Sequence, residues 1–176
     1  AAELERSAAV RLERASDGSV RVLLDSEDVS AAIRTQEISQ GASQVSAVAG
    51  VRAALLELQR ASGRDGGVVL EGRDIGTVVF PNAEAKFFLT ASVGIRAQRR
   101  FDELVARGET PSLEEVKREV IERDTRDSSR PIAPLRQAPD ATVVDSSSLE
   151  IEAVVERIVE EVRRVEARMA AAQPSS

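Results

Sequence analysis

At 176 residues, with 42% apolar side chains, the chain suits one domain, or one domain with a small insert, and can bury a core. It has neither cysteine nor histidine, which excludes disulfides, thiolate metal sites and the commonest general base. The net charge of −6 argues against broad binding to nucleic acid polymers; no apolar run approaches the ~20 residues that span a bilayer, and no signal-peptide pattern opens the chain, so a soluble cytoplasmic protein is expected.

The element pattern, in chain order, begins with a predicted helix over Ala1–Arg14. Asp17-Gly18 marks a turn and Val20–Leu24 a short strand. Residues 26–33 are polar and carry no clear period. Helices are predicted over Thr35–Val48 and Val51–Ser62, with Gly50 between them and a loop at Gly63–Gly67. Val68–Leu70 reads as a strand, and Thr77–Phe80 as a second short extended piece ended by Pro81. A strand at Ala85–Thr90 precedes helices at Ser92–Arg107 and Ser112–Arg126, separated by Gly108. Ala141–Asp145 is a further strand.

The last helix, about Leu149–Ala171, has the clearest period. Ile151, Val154, Val155, Ile158, Val159, Val162 and Val165 form one apolar stripe, read as a core-packing face rather than a partner-binding one. Gln173–Ser176 is expected to fray. Short apolar strands alternating with helices predict an α/β fold with a parallel sheet, whose ligands gather at the carboxyl ends of strands. Gly72-Arg73-Asp74 falls at such an end.

With no histidine or cysteine, chemistry must rest on carboxylates, hydroxyls, arginines and backbone. Only Lys86 and Lys117 are lysines; the other basic residues are arginines, whose planar fork matches phosphate and carboxylate. A GC-rich coding bias would give the same excess, so the positions matter more than the total. Arg123, Asp127 and Arg130 are spaced i, i+4, i+7, an arc of roughly 60° on a helix. That arc borders the stripe of Leu113, Val116 and Val120, at the rim of a core. Arginine suits a phosphate there, and aspartate suits sugar hydroxyls or a base amino group. The same spacing also suits salt bridges on a solvated helix.

Glycine in Gly72-Arg73-Asp74 allows a sharp turn and close ligand approach; a surface turn with a local ion pair is the other reading. Ser43 and Arg52 straddle a helix junction whose residues 41–46 are small and polar, as for close packing of a ligand or of another helix. Arg96, Arg99 and Arg100 form a basic cluster able to close over a polyphosphate or simply to face solvent. Nowhere does the chain carry the Gly-x-x-x-x-Gly-Lys-Ser/Thr pattern that cradles a triphosphate.

In this order the segments resemble the bacterial cytidylate kinases of the nucleoside monophosphate kinase superfamily. The resemblance rests on residues 26–34, 42–46, 51–55, 88–92, 122–127, 129–135 and 144–147, and above all on Glu71-Gly72-Arg73-Asp74-Ile75-Gly76-Thr77-Val78-Val79-Phe80-Pro81. It implies a P-loop-type three-layer parallel sheet with a small α+β nucleotide-binding insert, the insert lying mostly within residues 1–48. Residues 49–176 would belong to the kinase core, with a short lid around 92–112. The implied activity is transfer of the ATP γ-phosphate to CMP or dCMP. Magnesium would accompany ATP, and the protein would offer no metal site of its own.

Position by position, the resemblance assigns Ser43 and Arg52 to cytosine recognition, Asp127 to base and sugar, and Arg123 to the sugar. Arg73 and Arg130 match arginines that hold the acceptor phosphate, and Asp74 an aspartate beside it; these three are the candidate catalytic residues. Arg96, Arg99 and Arg100 fall in the lid over the donor phosphates. A monomer without polymer or membrane partners is implied.

One departure stands out. Family members carry a first strand and a Gly-rich loop with a lysine, whereas Lys86 follows alanine and Lys117 follows valine. Residue 1 is alanine, and Met169 is the only methionine. The expectation is therefore a segment of a cytidylate kinase without its first strands and P-loop, its sheet incomplete and its own turnover negligible. The alternative is a non-catalytic module that binds cytidine nucleotides or docks on a partner.

Overall fold

The computed structural model describes residues 9–46 and 48–172. It divides into two compact units, 1–69 and 70–176.

The first unit opens with a hairpin. Strand β1 (Val10–Arg14) pairs antiparallel with β2 (Val20–Leu24) in the register Val10↔Leu24 to Arg14↔Val20. The expected helix is thus overturned over residues 10–14, while residues 1–8 lie outside the described residues. The physical reason is a period of two: Val10 and Leu12 alternate with Arg11 and Glu13, and a partner strand stands ready. Glu13 sits directly opposite Arg21, with 3.5 Å between Oε2 and Nη2. Gly18 takes φ +84° in the connecting turn, where Asp17 Oδ1 accepts from the Ser19 amide at 2.9 Å.

Strand β3 (Glu27–Asp28) joins β2 through Asp25 and Ser26, whose φ values of +50° and +77° mark a two-residue primed turn. Ser30 Oγ accepts from the Val22 amide and donates to Asp28, closing this small sheet. A 3₁₀ turn at Ala32–Arg34 leads to α1 (Gln36–Val45), capped by Thr35 Oγ1 accepting from the Ile38 amide. Helix α2 (Ala49–Ser62) contains Gly50 in its first turn, so the break between the helices falls earlier than the sequence pattern placed it.

Two expected extended segments are not ladder strands. Val68–Leu70 pairs with no strand among the described residues, and Val69 is 99% exposed. Its composition suits a buried strand, but a strand also needs a ladder partner. Thr77–Phe80 falls mostly in a π-helical turn, Ile75–Val79. There the Asp74 carbonyl accepts from the amides of Thr77, Val78 and Val79 at 3.3, 2.9 and 3.3 Å, and Ile75 O accepts from Phe80 at 2.7 Å.

In the second unit, β4 (Phe87–Thr90) and β5 (Thr142–Asp145) run parallel, with Phe87 opposite Thr142 and Thr90 opposite Asp145. Between them in sequence lie α3 (Val93–Ala106) and α4 (Leu113–Ser129), a connection that parallel pairing requires. The fold class is accordingly α/β. Buried Ala97 and Leu104 of α3 meet Val116 of α4, with Val120 against them. Helix α3 ends in a Schellman motif: Gly108, at φ +82°, donates to Val105 O, and Glu109 donates to Leu104 O.

Helix α4 runs three residues beyond its expected end and carries Asp127 with it. It stops where Arg130, just before Pro131, turns extended at ψ 140°. Helix α5 (Ile151–Ala172) buries only one edge of its apolar stripe. Val165 is buried and Val154, Ile158 and Val162 are half-buried, whereas Ile151, Val155 and Val159 are 76%, 52% and 38% exposed. Core packing therefore accounts for part of the stripe only. The expected fraying of 173–176 lies outside the described residues.

Candidate functional site

Three arginines and two aspartates converge where α4 ends. The π-helical turn fixes the Asp74 backbone, and its side chain meets Arg130, with 3.5 Å between Asp74 Oδ1 and Arg130 Nη2. Both side chains are largely buried, at 12% and 9% exposure. Arg130 Nε donates to the Ala133 carbonyl, while its buried Nη2 has no hydrogen-bond partner among the described residues. Beside this pair, Asp127 is buried on α4, and its Oδ2 lies 2.9 Å from Arg73 Nε and 3.9 Å from Arg123 Nε. The Asp127 carbonyl accepts from the Leu135 amide at 2.8 Å, tying the following loop back to the helix end.

The electrostatics are positive. Burial lowers the Arg123 pKa first, and the neighbouring Arg73 charge lowers it further. Asp127 opposes this, and Arg100 and Arg126 again push it down. Three guanidiniums thus face two carboxylates, in a setting that already penalises more positive charge. A buried guanidinium group with an unused donor, beside surplus positive charge, is chemically suited to an oxyanion. Gly72 helps the chain approach: a Cβ there would lie 2.7 Å from Ile75 Cγ1.

The structure therefore brings together five of the expected site residues, Arg73, Asp74, Arg123, Asp127 and Arg130. Ser43 and Arg52 lie in the first unit. Ser43 is half-buried on α1, and Arg52 of α2 reaches back with Nη1 to the Ser46 carbonyl at 3.2 Å, so both belong to one helix junction.

The α3 arginines hold protein partners. Arg96 makes a bidentate pair with Asp124 at 2.8 and 2.7 Å and donates from Nε to Ala91 O at 3.0 Å. Arg99 grips Ser146 through its Oγ and carbonyl, at 3.1 and 2.7 Å. Arg100 pairs with Glu103 at 2.8 Å, and Arg107 reaches the other oxygen of the same carboxylate. Sequence reasoning missed Asp124 and Ser146 as partners, since residues 28 and 47 positions away leave no local spacing signal. Among the described residues no group of three metal-ligating side chains occurs. No described helix is long and apolar enough to cross a membrane.

A family model for cytidylate kinase matches residues 1–164. A cytidylate kinase of Citrifermentans bemidjiense is 58% identical over 143 residues, covering 81% of this chain and 61% of its own. One from Symbiobacterium thermophilum is 45% identical over 163 residues, covering 93% of this chain and 72% of its own. A bifunctional pantoate ligase/cytidylate kinase of Synechococcus sp. (strain JA-3-3Ab) is 53% identical over 157 residues, covering 89% of this chain and 29% of its own. The chain spans about three-fifths of the length of the Citrifermentans and Geobacter relatives. With a family model that takes in nearly every residue, and relatives at these identities, the chain belongs to the cytidylate kinase family.

Proposed function

We propose that this chain carries the acceptor side of an ATP-dependent CMP or dCMP kinase. An acceptor phosphate oxygen attacks the ATP γ-phosphorus, a new P–O bond forms, and ADP leaves. Such transfer needs little covalent chemistry from the protein; it needs two phosphates held in line and their charge neutralised. The absence of histidine and cysteine is therefore no obstacle.

The observation that carries this reading is the buried Arg130 Nη2 without a hydrogen-bond partner, beside Asp74. Arg130 and Arg73 would hold the acceptor phosphate, and Asp74 would orient Arg130. Arg123 and Asp127 would reach the sugar and base, and Ser43 and Arg52 the cytosine. The α3 arginines Arg96, Arg99 and Arg100 would serve the donor phosphates by exchanging their present partners. Magnesium would arrive on ATP. A metal held mainly by phosphates and water needs no all-protein cage.

The proposal extends to a P-loop-type three-layer sheet, with residues 1–48 supplying most of an acceptor-binding insert, and to a cytoplasmic monomer. Because no Gly-Lys step occurs in the 176 residues, this polypeptide by itself would bind CMP and turn over negligibly. Calorimetric titration with CMP, cytidine and ATP tests the reading. CMP binding tighter than cytidine supports it; equal affinities would remove the phosphate assignment, and brisk CMP-dependent ATP turnover would refute the inactivity.

A further inference from the structure

Lys86 is one of only two lysines in the chain, and its side chain is 7% exposed. Its ammonium donates to the Pro81 carbonyl and to Asp140 Oδ2, the latter at 2.7 Å. The stem runs beneath Gly76, where an added Cβ would lie 3.4 Å from Lys86 Cδ and 3.9 Å from Ala138 Cβ. The Lys86 carbonyl accepts from the Thr142 amide at 2.9 Å, which anchors its backbone beside β4 and β5.

These contacts link two loops. One is the 74–81 turn, which starts at Asp74 and ends at Pro81. The other is the 130–141 loop, held at its start by the Arg130 Nε bond to Ala133 and the Leu135 bond to Asp127, and near its end by Asp140. Asp74 and Arg130, the pair with the unused donor, belong one to each loop. Among the contacts described, Lys86 is a single side chain that bonds to both loops at the ends remote from the pair.

We infer that Lys86 is a positioning residue that sets the Asp74–Arg130 separation, and through it the readiness of Arg130 Nη2 to take the acceptor phosphate; this rests on the phosphate reading above. A buried ammonium is costly unless it is hydrogen-bonded and paired, and two of its three donors here meet that need through acceptors on the two loops. Asp140 is 63% exposed, so its charge alone needs no buried partner; its pKa is lowered chiefly by the hydrogen bond from Lys86.

The test compares CMP and cytidine affinity in the unsubstituted chain and in Lys86→Met, with the Arg130 Nε–Hε resonance as a second readout. The expected result is about a tenfold fall in the CMP-to-cytidine affinity ratio, with cytidine binding unchanged and the Arg130 resonance shifted. A general packing loss would weaken both ligands together and leave the ratio alone, which overturns the inference. If the unsubstituted chain does not prefer CMP, the phosphate reading fails and takes this inference with it. If it does, and Lys86→Met keeps the full preference, the inference alone fails. Should Lys86→Met not fold, Asp140→Asn decides: about a threefold fall in the ratio supports the clamp, and an unchanged ratio overturns it.

Discussion

Arg130 Nη2 stands 3.5 Å from Asp74 Oδ1, close enough for charge attraction but too far for a good hydrogen bond. The pair is nearly buried, so this geometry leaves a donor unused where water has little access. Replacing Arg130 by Met should weaken CMP by about 2–5 kcal/mol, the cost of removing one side of a buried charge pair. Cytidine affinity should stay put. Calorimetry with both ligands checks this, and unchanged CMP affinity would contradict the assignment.

Arg96 and Asp124 join α3 to α4 through two parallel hydrogen bonds, with both side chains about one-third exposed. Their coupling should sit at the upper end of the range for exposed pairs, about 1 kcal/mol. A double-mutant cycle with Arg96→Ala and Asp124→Ala, read by urea unfolding, measures it. Lysine at position 96 should recover less than half, because it cannot reproduce the fork.

The Asp25-Ser26 turn keeps two non-glycine residues in the left-handed region. Ser26→Gly should relieve that strain and stabilise the first unit by about 0.5–1 kcal/mol, even after losing the exposed Arg11 bond to Ser26 Oγ. A higher urea midpoint at unchanged slope is the expected signature.

Glu103 is held below its ordinary pKa of 4.5, chiefly by the hydrogen bond from Arg100. A depressed carboxylate contributes stability above its unfolded pKa, and that contribution is lost as pH falls through the folded value. The window therefore opens just below pH 4.5. Glu103→Gln should flatten the acid limb of the stability profile there while leaving its shape at neutral pH unchanged. An identical acid limb in the variant would show that the Arg100 bond does not persist in solution.

The helices were legible where a cap precedes a periodic run. Thr35 and Ser92 both accept from the amide three residues on. Gly108 likewise announced the end of α3 by the conformation its position demands. Strand β1 was obscured because Arg11, Glu13 and Arg14 suit an exposed helix face as well as they suit a strand, and only pairing with β2 decides. The π-helical turn has no period of its own: it exists because one carbonyl gathers amides from three positions. The site was legible as a set of residue types, Arg73, Asp74, Arg123, Asp127 and Arg130, but not as pairs. Which arginine meets which aspartate depends on where α4 stops, and Pro131 sets that through its restriction on Arg130.

The three amides converging on the Asp74 carbonyl have a kinetic consequence. A carbonyl oxygen offers two lone pairs, so the three amides and the Thr77 hydroxyl share them and none holds an exclusive bond. Loss of that one oxygen takes the shared acceptor from the amides of Thr77, Val78 and Val79 at once. In deuterium exchange the signals of these three amides should decay as one group with a common opening rate.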